Sequence, residues 1–163
     1  MAQPWRTSGS VELLIDGPAE ALYDLITDVV TTGDRSDECH RAEWLDGADH
    51  AVVGARFRGH NRWRLARWSR VCEVIEATPG RAFAFRTVPE RWDPSRRDSV
   101  TWRYDLTPHG DQTLVRHSYE ITLLPMQPFR WLYGIYLPQH RDMRPAMAHT
   151  LDALAAAGAA RSR

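Results

Sequence analysis

The chain has 163 residues, enough for one domain with a sizeable core, and 43% of them are hydrophobic. Its 21 basic residues balance 21 acidic ones, so no net charge attracts nucleic acid or an anionic membrane. All the basic residues are arginines, and the lack of lysine excludes a lysine Schiff base, a P-loop lysine and a lysine base.

The cysteine content and the N-terminal residues exclude further classes of protein. Cys39 and Cys72 are too few for a disulfide framework or for a zinc site built on CxxC pairs. The first residues lack the apolar stretch of a signal peptide, and no apolar run is long enough to span a bilayer. We therefore expect a cytoplasmic protein with no stable membrane insertion.

The chain begins with a predicted strand and a short helix. Apolar residues alternate with other residues over 11–15, and this strand ends at Asp16-Gly17. Pro18 then opens a helix, a position where its missing N–H costs nothing. An apolar face continues to Val29, and the residues 31–33 are expected to end the helix.

Six further strands are predicted after Gly33, because stretches of alternating hydrophobicity are separated by turn residues. Their expected ranges are 38–45, 52–59, 66–77, 81–88, 98–107 and 112–123. Asp46-Gly47, Pro79-Gly80 and residues 109–111 supply turn chemistry at hairpin spacing. Strands that follow one another without βαβ alternation indicate an α+β fold with an antiparallel sheet.

The C-terminal segment has the clearest helical periodicity. Apolar and aromatic residues recur at steps of three and four from Phe129 to Leu154, and the phase is kept through Pro138 and Pro145. This pattern predicts one long helix over 128–157, kinked at the two prolines.

Aromatic and polar residues on the inner faces of the predicted elements indicate a cavity rather than a solid core. Trp102 and Tyr104 share one strand face, and His117 and Tyr119 share another. Polar ring atoms in an interior need a partner or water, and a wide sheet around a helix with such a lining is typical of a small-molecule pocket. The expected lining residues are Trp44, Phe57, Asn61, Trp68, Phe85, Trp102, Tyr104, His117, Tyr119, Tyr133, Tyr136 and His140.

A family resemblance rests on specific motifs: W-L-D-G over 44–47, V-G-A-R-F-R-G-H-N-R over 53–62, Trp68, Cys72, and P-G-R-A-F-A-F over 79–85. Together with the element order, these motifs resemble the START-like, or SRPBCC, superfamily, which includes the birch-pollen-allergen-like proteins. Within it they are similar to an actinobacterial group of polyketide cyclase/dehydrase and lipid-transport proteins.

This resemblance covers the chain from about Ser10 to Ala157 and implies a single START-like domain over residues 1–163. The implied architecture is the helix-grip fold, a seven-stranded curved antiparallel sheet wrapped around a long C-terminal helix, with short helices after the first strand. The implied cavity takes sterols, lipids or polyketide-like molecules. Members range from enzymes to passive carriers, so the resemblance implies no universal catalytic residue.

The stretch S-D-E-C-H, residues 36–40, is a candidate for chemistry. On a strand Cys39 and His40 point in opposite directions, which excludes a Cys–His nucleophile pair, so Cys39 is expected to be a small core residue. Glu38 and His40 would share a face, and an acid/base pair is geometrically possible there. The resemblance implies a cavity entrance where this strand starts, so we interpret S-D-E-C as a structural strand start that lines the entrance and not as a catalytic centre. Glu38 is the one member of the stretch worth testing as a catalytic residue.

Six arginines alternate with aromatic residues over 56–70, a pattern with two interpretations. Such a segment can bind single-stranded nucleic acid, or it can be a β-hairpin whose arginines face solvent. The zero net charge favours the hairpin, and we expect no nucleic-acid partner. Asn61 either caps this hairpin or points its amide into the cavity.

The seven histidines lack the spacings of metal-binding motifs, so we predict no metal and no cofactor. His117 and His140 come from elements expected to face each other, and together they could act in acid/base chemistry or bind a ligand oxygen. The alternative is a buried histidine bonded to the hydroxyl of Tyr119 or Tyr136.

Two function classes follow from these patterns. The first is a carrier or sensor that binds a small hydrophobic, ring-containing ligand such as a lipid, a sterol or a polyketide-like molecule. The second is a polyketide cyclase/aromatase or dehydratase that uses the same cavity, with Glu38, His117 and His140 as candidate catalytic residues. A protein-interaction module of the co-chaperone kind is a weaker third, and the chain is expected to be a monomer or a homodimer.

Overall fold

Seven strands and three α-helices form the regular elements of residues 5–161, the part of the chain that the structure, a computed structural model, describes. The strands are β1 (Ser8–Asp16), β2 (Cys39–Trp44), β3 (Arg56–Trp63), β4 (Ala66–Thr78), β5 (Ala82–Thr87), β6 (Ser99–His109) and β7 (Gln112–Leu123). The α-helices are α1 (Ala19–Thr27), α2 (Phe129–Tyr136) and α3 (Arg144–Arg161). Short 3₁₀ turns cover Val29–Asp34, Pro94–Arg96 and Pro138–Arg141.

The strands form one antiparallel sheet in the order β1-β7-β6-β5-β4-β3-β2. Successive strands from β2 to β7 are neighbours, whereas β1 pairs with β7 at the far end of the sheet. Register shifts in β4 and at the start of β6 interrupt the ladders, and such bulges increase the bend of a sheet. The sheet curves around α3, so the predicted helix-grip fold is confirmed.

Helix α3 supplies the apolar side chains that close the core. Leu151 and Leu154 are each 1% exposed, and they belong to the same buried cluster as Phe83 and Val115 of the sheet. Helix α1, which contacts α3, β5 and β6, adds Leu22 to this cluster. The core therefore lies between the concave face of the sheet and the two helices that cover it.

The prediction of a single helix over 128–157 is wrong. The segment contains α2, the 3₁₀ turn Pro138–Arg141 and α3, each separate from the next. The residue before a proline is driven out of the helical region, and Leu137 accordingly has φ −128° and ψ 61°. Pro145 lies in the first turn of α3, where a missing N–H is harmless, so the second proline begins a helix instead of kinking one.

Two other boundaries differ from the expected ones. Helix α1 ends at Thr27, and the residues expected to finish it form the 3₁₀ turn Val29–Asp34. Strand β3 begins at Arg56 rather than near residue 52, because the preceding loop extends through Gly54, whose φ of 89° is strained for other residues. The strand continues to Trp63, so Asn61 lies within β3, opposite Trp68, and does not cap the hairpin.

Candidate functional site

The sheet and helix α3 enclose a cavity of about 270 Å³. Strands β2 to β7 supply its floor, α3 supplies its roof, and Ile26 and Val29 close one side. Small-molecule pockets usually measure roughly 300–1,000 Å³, so this cavity lies just below that range and suits a small ligand.

Most of the residues predicted to line a pocket lie in the wall of this cavity. They are Phe57, Asn61, Trp68, Phe85, Trp102, Tyr104, His117 and His140. The Phe57 and Phe85 rings meet edge to face with centroids 5.2 Å apart, a favoured aromatic geometry. The wall is therefore a packed aromatic surface broken by a few polar side chains.

His117 is the polar side chain at the aromatic inner wall. Its ring stacks on Tyr104 with centroids 3.9 Å apart and an interplanar angle of 12°. The residue is 4% exposed, and its Nδ1 has no hydrogen-bond partner within residues 5–161. Burial lowers the pKa of His117 to about 3, so the imidazole is neutral at physiological pH.

The expected partners of His117 lie elsewhere. No contact joins His117 to His140, Tyr119 or Tyr136 among the bonds and ring contacts of the described chain. The hydroxyl of Tyr119 donates instead to the Arg6 carbonyl at 3.3 Å. Burial also raises the pKa of Tyr104, so the inner wall presents a neutral imidazole next to a neutral phenol.

A carboxylate and an imidazole meet at the other end of the cavity. His140 Nε2 lies 3.0 Å from both carboxylate oxygens of Glu38, and Gln139 Nε2 donates to Oε1 at 2.6 Å. Glu38 immediately precedes β2, whereas Gln139 and His140 belong to the 3₁₀ turn Pro138–Arg141. The His140 ring also meets Trp68 edge to face at 5.9 Å. The contacts tie the sheet edge to the C-terminal segment across the cavity wall.

Burial and hydrogen bonding act in opposite directions on Glu38. Burial, the largest influence, raises the pKa of the carboxyl, but the bonds and charge of His140 and the bond from Gln139 outweigh it and leave the pKa lowered. Glu38 is therefore ionised at neutral pH. Its contact with His140 is an ion pair when the imidazole is protonated and a charge-assisted hydrogen bond when it is neutral.

Glu38→Gln is expected to lower the free energy of unfolding at pH 7 by about 1.5–3 kcal/mol, the usual contribution of hydrogen bonds to a charged group. A carboxyl with a lowered pKa stabilises the fold above its ordinary pKa of 4.5 and loses this contribution as the pH falls through the lowered value. The deficit of the variant should therefore shrink below pH 4.5. Urea unfolding across this pH range measures it, and a deficit independent of pH would contradict the assignment.

The expected pairing of Glu38 with His40 does not occur. His40 is exposed and outside the cavity wall, whereas Glu38, Cys39 and Ala42 all line it. A register shift between Cys39 and Arg41 breaks the strict alternation of β2, and this reverses the faces assumed for a regular strand. The sequence pattern located the carboxylate but not its partner.

Neither cysteine is suited to act as a nucleophile. Burial raises the pKa of the Cys39 thiol and raises the pKa of Cys72 to about 12. Reactive cysteines need a lowered pKa, since the thiolate is the nucleophile. Cys39 and Cys72 therefore serve as small apolar parts of the cavity wall.

The remaining predicted lining residues lie outside this cavity. Trp44 packs behind the wall, with its ring 5.7 Å from that of Phe57. Tyr119 is buried in a separate small cluster with Met143 and Met147. Tyr133 and Tyr136 line an adjoining groove, because they belong to the separate helix α2 and not to a continuous helix over the cavity.

Two arginines lie in the cavity wall that were not among the lining residues expected from the sequence. Arg70 forms an ion pair with Asp98 at 2.7 Å, and the two side chains are only 12% and 14% exposed. The alternation of Trp68, Arg70 and Cys72 on one face of β4 could have revealed it. Arg35, 8% exposed, donates to the Leu25 carbonyl at 2.7 Å and follows no periodic pattern in the sequence.

Residues 5–161 contain no group of three or more His, Cys, Asp or Glu side chains that could hold a metal ion. No helix in the same range is both long and apolar enough to span a bilayer.

The fold and the cavity define a helix-grip domain, and the comparison with sequence families agrees. A profile of the family described as polyketide cyclase/dehydrase and lipid transport matches residues 6–160. The chain belongs to this family. No curated protein matches the chain significantly.

Solved structures share the fold at low sequence identity. A protein from Thermus thermophilus has a TM-score of 0.72 at 18% identity, over 96% of this chain and 99% of that one. The Zhui aromatase/cyclase from a Streptomyces species has a TM-score of 0.70 at 13% identity, over 96% and 95%. A polyketide-cyclase-like protein from Corynebacterium glutamicum has a TM-score of 0.55 at 24% identity, over 93% and 88%. At these identities the likeness establishes the fold alone.

Proposed function

We propose that the protein binds a small hydrophobic, ring-containing ligand inside the cavity and acts as a carrier or sensor. The observation that carries this proposal is an aromatic-walled cavity of about 270 Å³ between the sheet and α3. A fully packed core needs no such space, because protein interiors are normally as dense as organic crystals. Membership of a family described by lipid transport and polyketide cyclisation supports a lipid or polyketide-like ligand.

The polar groups of the wall indicate which functional groups the ligand carries. His117 and Tyr104 are both neutral, so the part of the wall that these two rings form suits a neutral hydroxyl or carbonyl. A ligand oxygen near His117 would also relieve the cost of its unbonded ring nitrogen. Rings in the middle of the ligand would contact Phe57, Phe85 and Trp102.

A second candidate function is a polyketide cyclase/aromatase or dehydratase. The observation that favours it is the Glu38–His140 pair in the cavity wall, which Gln139 holds in place. A carboxylate and an imidazole in contact can take up and return a proton during enolisation or loss of water. His117 is the weaker candidate of the three, since an imidazole with a pKa of about 3 is a poor base.

Ala146→Phe is expected to weaken ligand binding at least tenfold, about 1.4 kcal/mol, because Ala146 lines the cavity and a phenyl ring would occupy it. The matched control is Ala148→Phe, which adds the same ring on an exposed position of the same helix. Native mass spectrometry of freshly purified protein would detect a co-purified ligand, and titration with the neutral fluorophore N-phenyl-1-naphthylamine would give affinities. Equal affinities for the two variants would contradict binding in this cavity.

A further inference from the structure

A groove of about 350 Å³ adjoins the cavity and shares part of its wall. Trp68, Arg70 and His140 border both spaces. The groove is surrounded by three segments: the end of the β3–β4 hairpin over residues 62–67, which contributes Arg67, the loop between β5 and β6 with Ser95, and helix α2 with Tyr133. The hydroxyl of Tyr133 donates to the Ser95 carbonyl, so helix and loop are directly joined. We call the outer surface of these three segments the groove face.

The groove face carries large apolar side chains that project into solvent. Leu65 in the β3–β4 turn is 99% exposed, and Trp92 in the loop is 96% exposed. On α2, Trp131 and Ile135 are 66% and 51% exposed and lie four residues apart, so they share the outward side of the helix. Tyr136 adds a phenol that is 63% exposed. Such a concentration of exposed aromatic and aliphatic groups usually marks an interaction site.

The same face carries unneutralised positive charge. Arginines occur in all three segments, and the exposed ones are Arg62, Arg64, Arg67, Arg91 and Arg97. The ion pairs of residues 5–161 give none of these five arginines a carboxylate partner. The carboxylates of the loop already form ion pairs with other arginines. Glu90 and Asp93 pair with Arg96, and Asp98 pairs with Arg70. A chain of zero net charge thus has a locally basic face.

We propose that the groove face docks on the surface of an anionic lipid bilayer. Trp and Tyr favour the interface between lipid and water, and leucine and isoleucine favour the hydrocarbon just beneath it. Arginines around them would contact lipid phosphates, and each basic residue near an anionic surface contributes about 1 kcal/mol. Docking is peripheral, since the inserting groups are isolated side chains on two loops and on the short helix α2.

The form of the surface favours lipid over a protein partner. Protein interfaces are buried against a complementary surface, and their central residues are usually flanked by a packed polar rim. Leu65 and Trp92 instead stand almost free of the rest of the molecule, on two different loops. A fluid bilayer accommodates such isolated projections without any complementary shape.

The test is flotation of the purified protein with lipid vesicles at low ionic strength. Vesicles of phosphatidylcholine with about 30% phosphatidylglycerol should carry the protein, and vesicles of phosphatidylcholine alone should carry much less. Trp131→Ser combined with Ile135→Ser is expected to reduce the apparent partition constant at least tenfold. Arg64→Gln combined with Arg67→Gln should reduce it severalfold and weaken its dependence on salt.

Matched controls come from the opposite end of the sheet. Val52 and Val53 are 46% and 67% exposed in the β2–β3 loop, at the other end of β3 from the β3–β4 turn. Val52→Ser with Val53→Ser should leave flotation unchanged, as should Arg56→Gln with Arg81→Gln. Thermal unfolding would verify that each variant is folded.

Three outcomes would overturn the proposal. One is wild-type protein that does not float with anionic vesicles, and another is flotation that responds equally to the groove-face and the control substitutions. The third is self-association of the wild type that Trp131→Ser with Ile135→Ser abolishes in the absence of vesicle binding, which would make this face an interface between copies. None of these measurements depends on the cavity ligand, so docking can fail while the proposed function stands.

Discussion

Replacing Leu154 by alanine is expected to lower the free energy of unfolding by about 2–5 kcal/mol and to enlarge the cavity. The side chain is 1% exposed, belongs to the main core cluster and also lines the cavity. Its removal therefore loses buried apolar contacts while extending a space that already exists. Urea unfolding measures the stability, and the affinities of a series of neutral ring ligands of increasing size measure the space gained.

Leu151→Ala is the matched control for this substitution. Leu151 lies one turn away on α3 and is also 1% exposed, but it is not part of the cavity wall. We expect a similar loss of stability without any change in the size of ligand preferred. A shift towards larger ligands in both variants, or in neither, would contradict the assignment of the cavity as the binding site.

The sheet was predictable because each strand carries its own local signals. The expected ranges of the last four strands agree closely with β4 to β7, and Pro79-Gly80 and residues 109–111 mark the turns between them. Alternation within a strand depends only on neighbouring residues, so it can be recognised in the sequence without knowing the rest of the fold. The prediction for β3 ended too early. Gly59 and Asn61 are residue types typical of turns, but here they lie inside the strand.

The C-terminal segment shows the limit of periodicity as a signal. A stripe that keeps its phase through Pro138 and Pro145 identified the buried side of α3, but it did not show whether the helix is continuous, and Tyr136 of the same stripe is 63% exposed. The backbone restriction that proline imposes on the preceding residue is local and stronger than the pattern. As a result, Tyr133 lies at the groove and not at the cavity.

The aromatic wall could be predicted from the strands, but the polar pair could not. Trp102, Tyr104 and His117 line the cavity because alternation on regular strands aims them inward. Glu38 and His140 are separated by 102 positions in the chain, and only the folded structure brings them together. A bulge in β2 further concealed which residues face inward, since nothing local in residues 36–41 marks it.

The proton-transfer candidate makes a second large prediction. If the cavity cyclises or dehydrates a polyketide-like chain, Glu38→Gln should lower turnover of a linear polyketide mimic by about 10²–10⁴-fold. The amide keeps the shape of the side chain but cannot accept the proton. Affinity for the same mimic should change by less than about threefold, because a group used only in the transition state contributes little to ground-state binding. His140→Asn should have an effect of the same order.

Strand β2, which begins directly after Glu38, provides a matched control. Glu43 also contacts a histidine, with its Oε1 3.0 Å from His60 Nε2, but this pair is absent from the cavity wall. Glu43→Gln should therefore leave turnover unchanged, whereas a general electrostatic effect would lower turnover in both variants.

His117→Phe distinguishes a binding role of His117 from a catalytic one. Because His117 is already neutral at physiological pH, its loss should weaken ligand binding more than it slows the chemical step. If the wild-type protein turns over no such substrate, or if Glu38→Gln changes affinity alone, the enzymatic candidate is wrong and ligand binding remains as the function of the cavity.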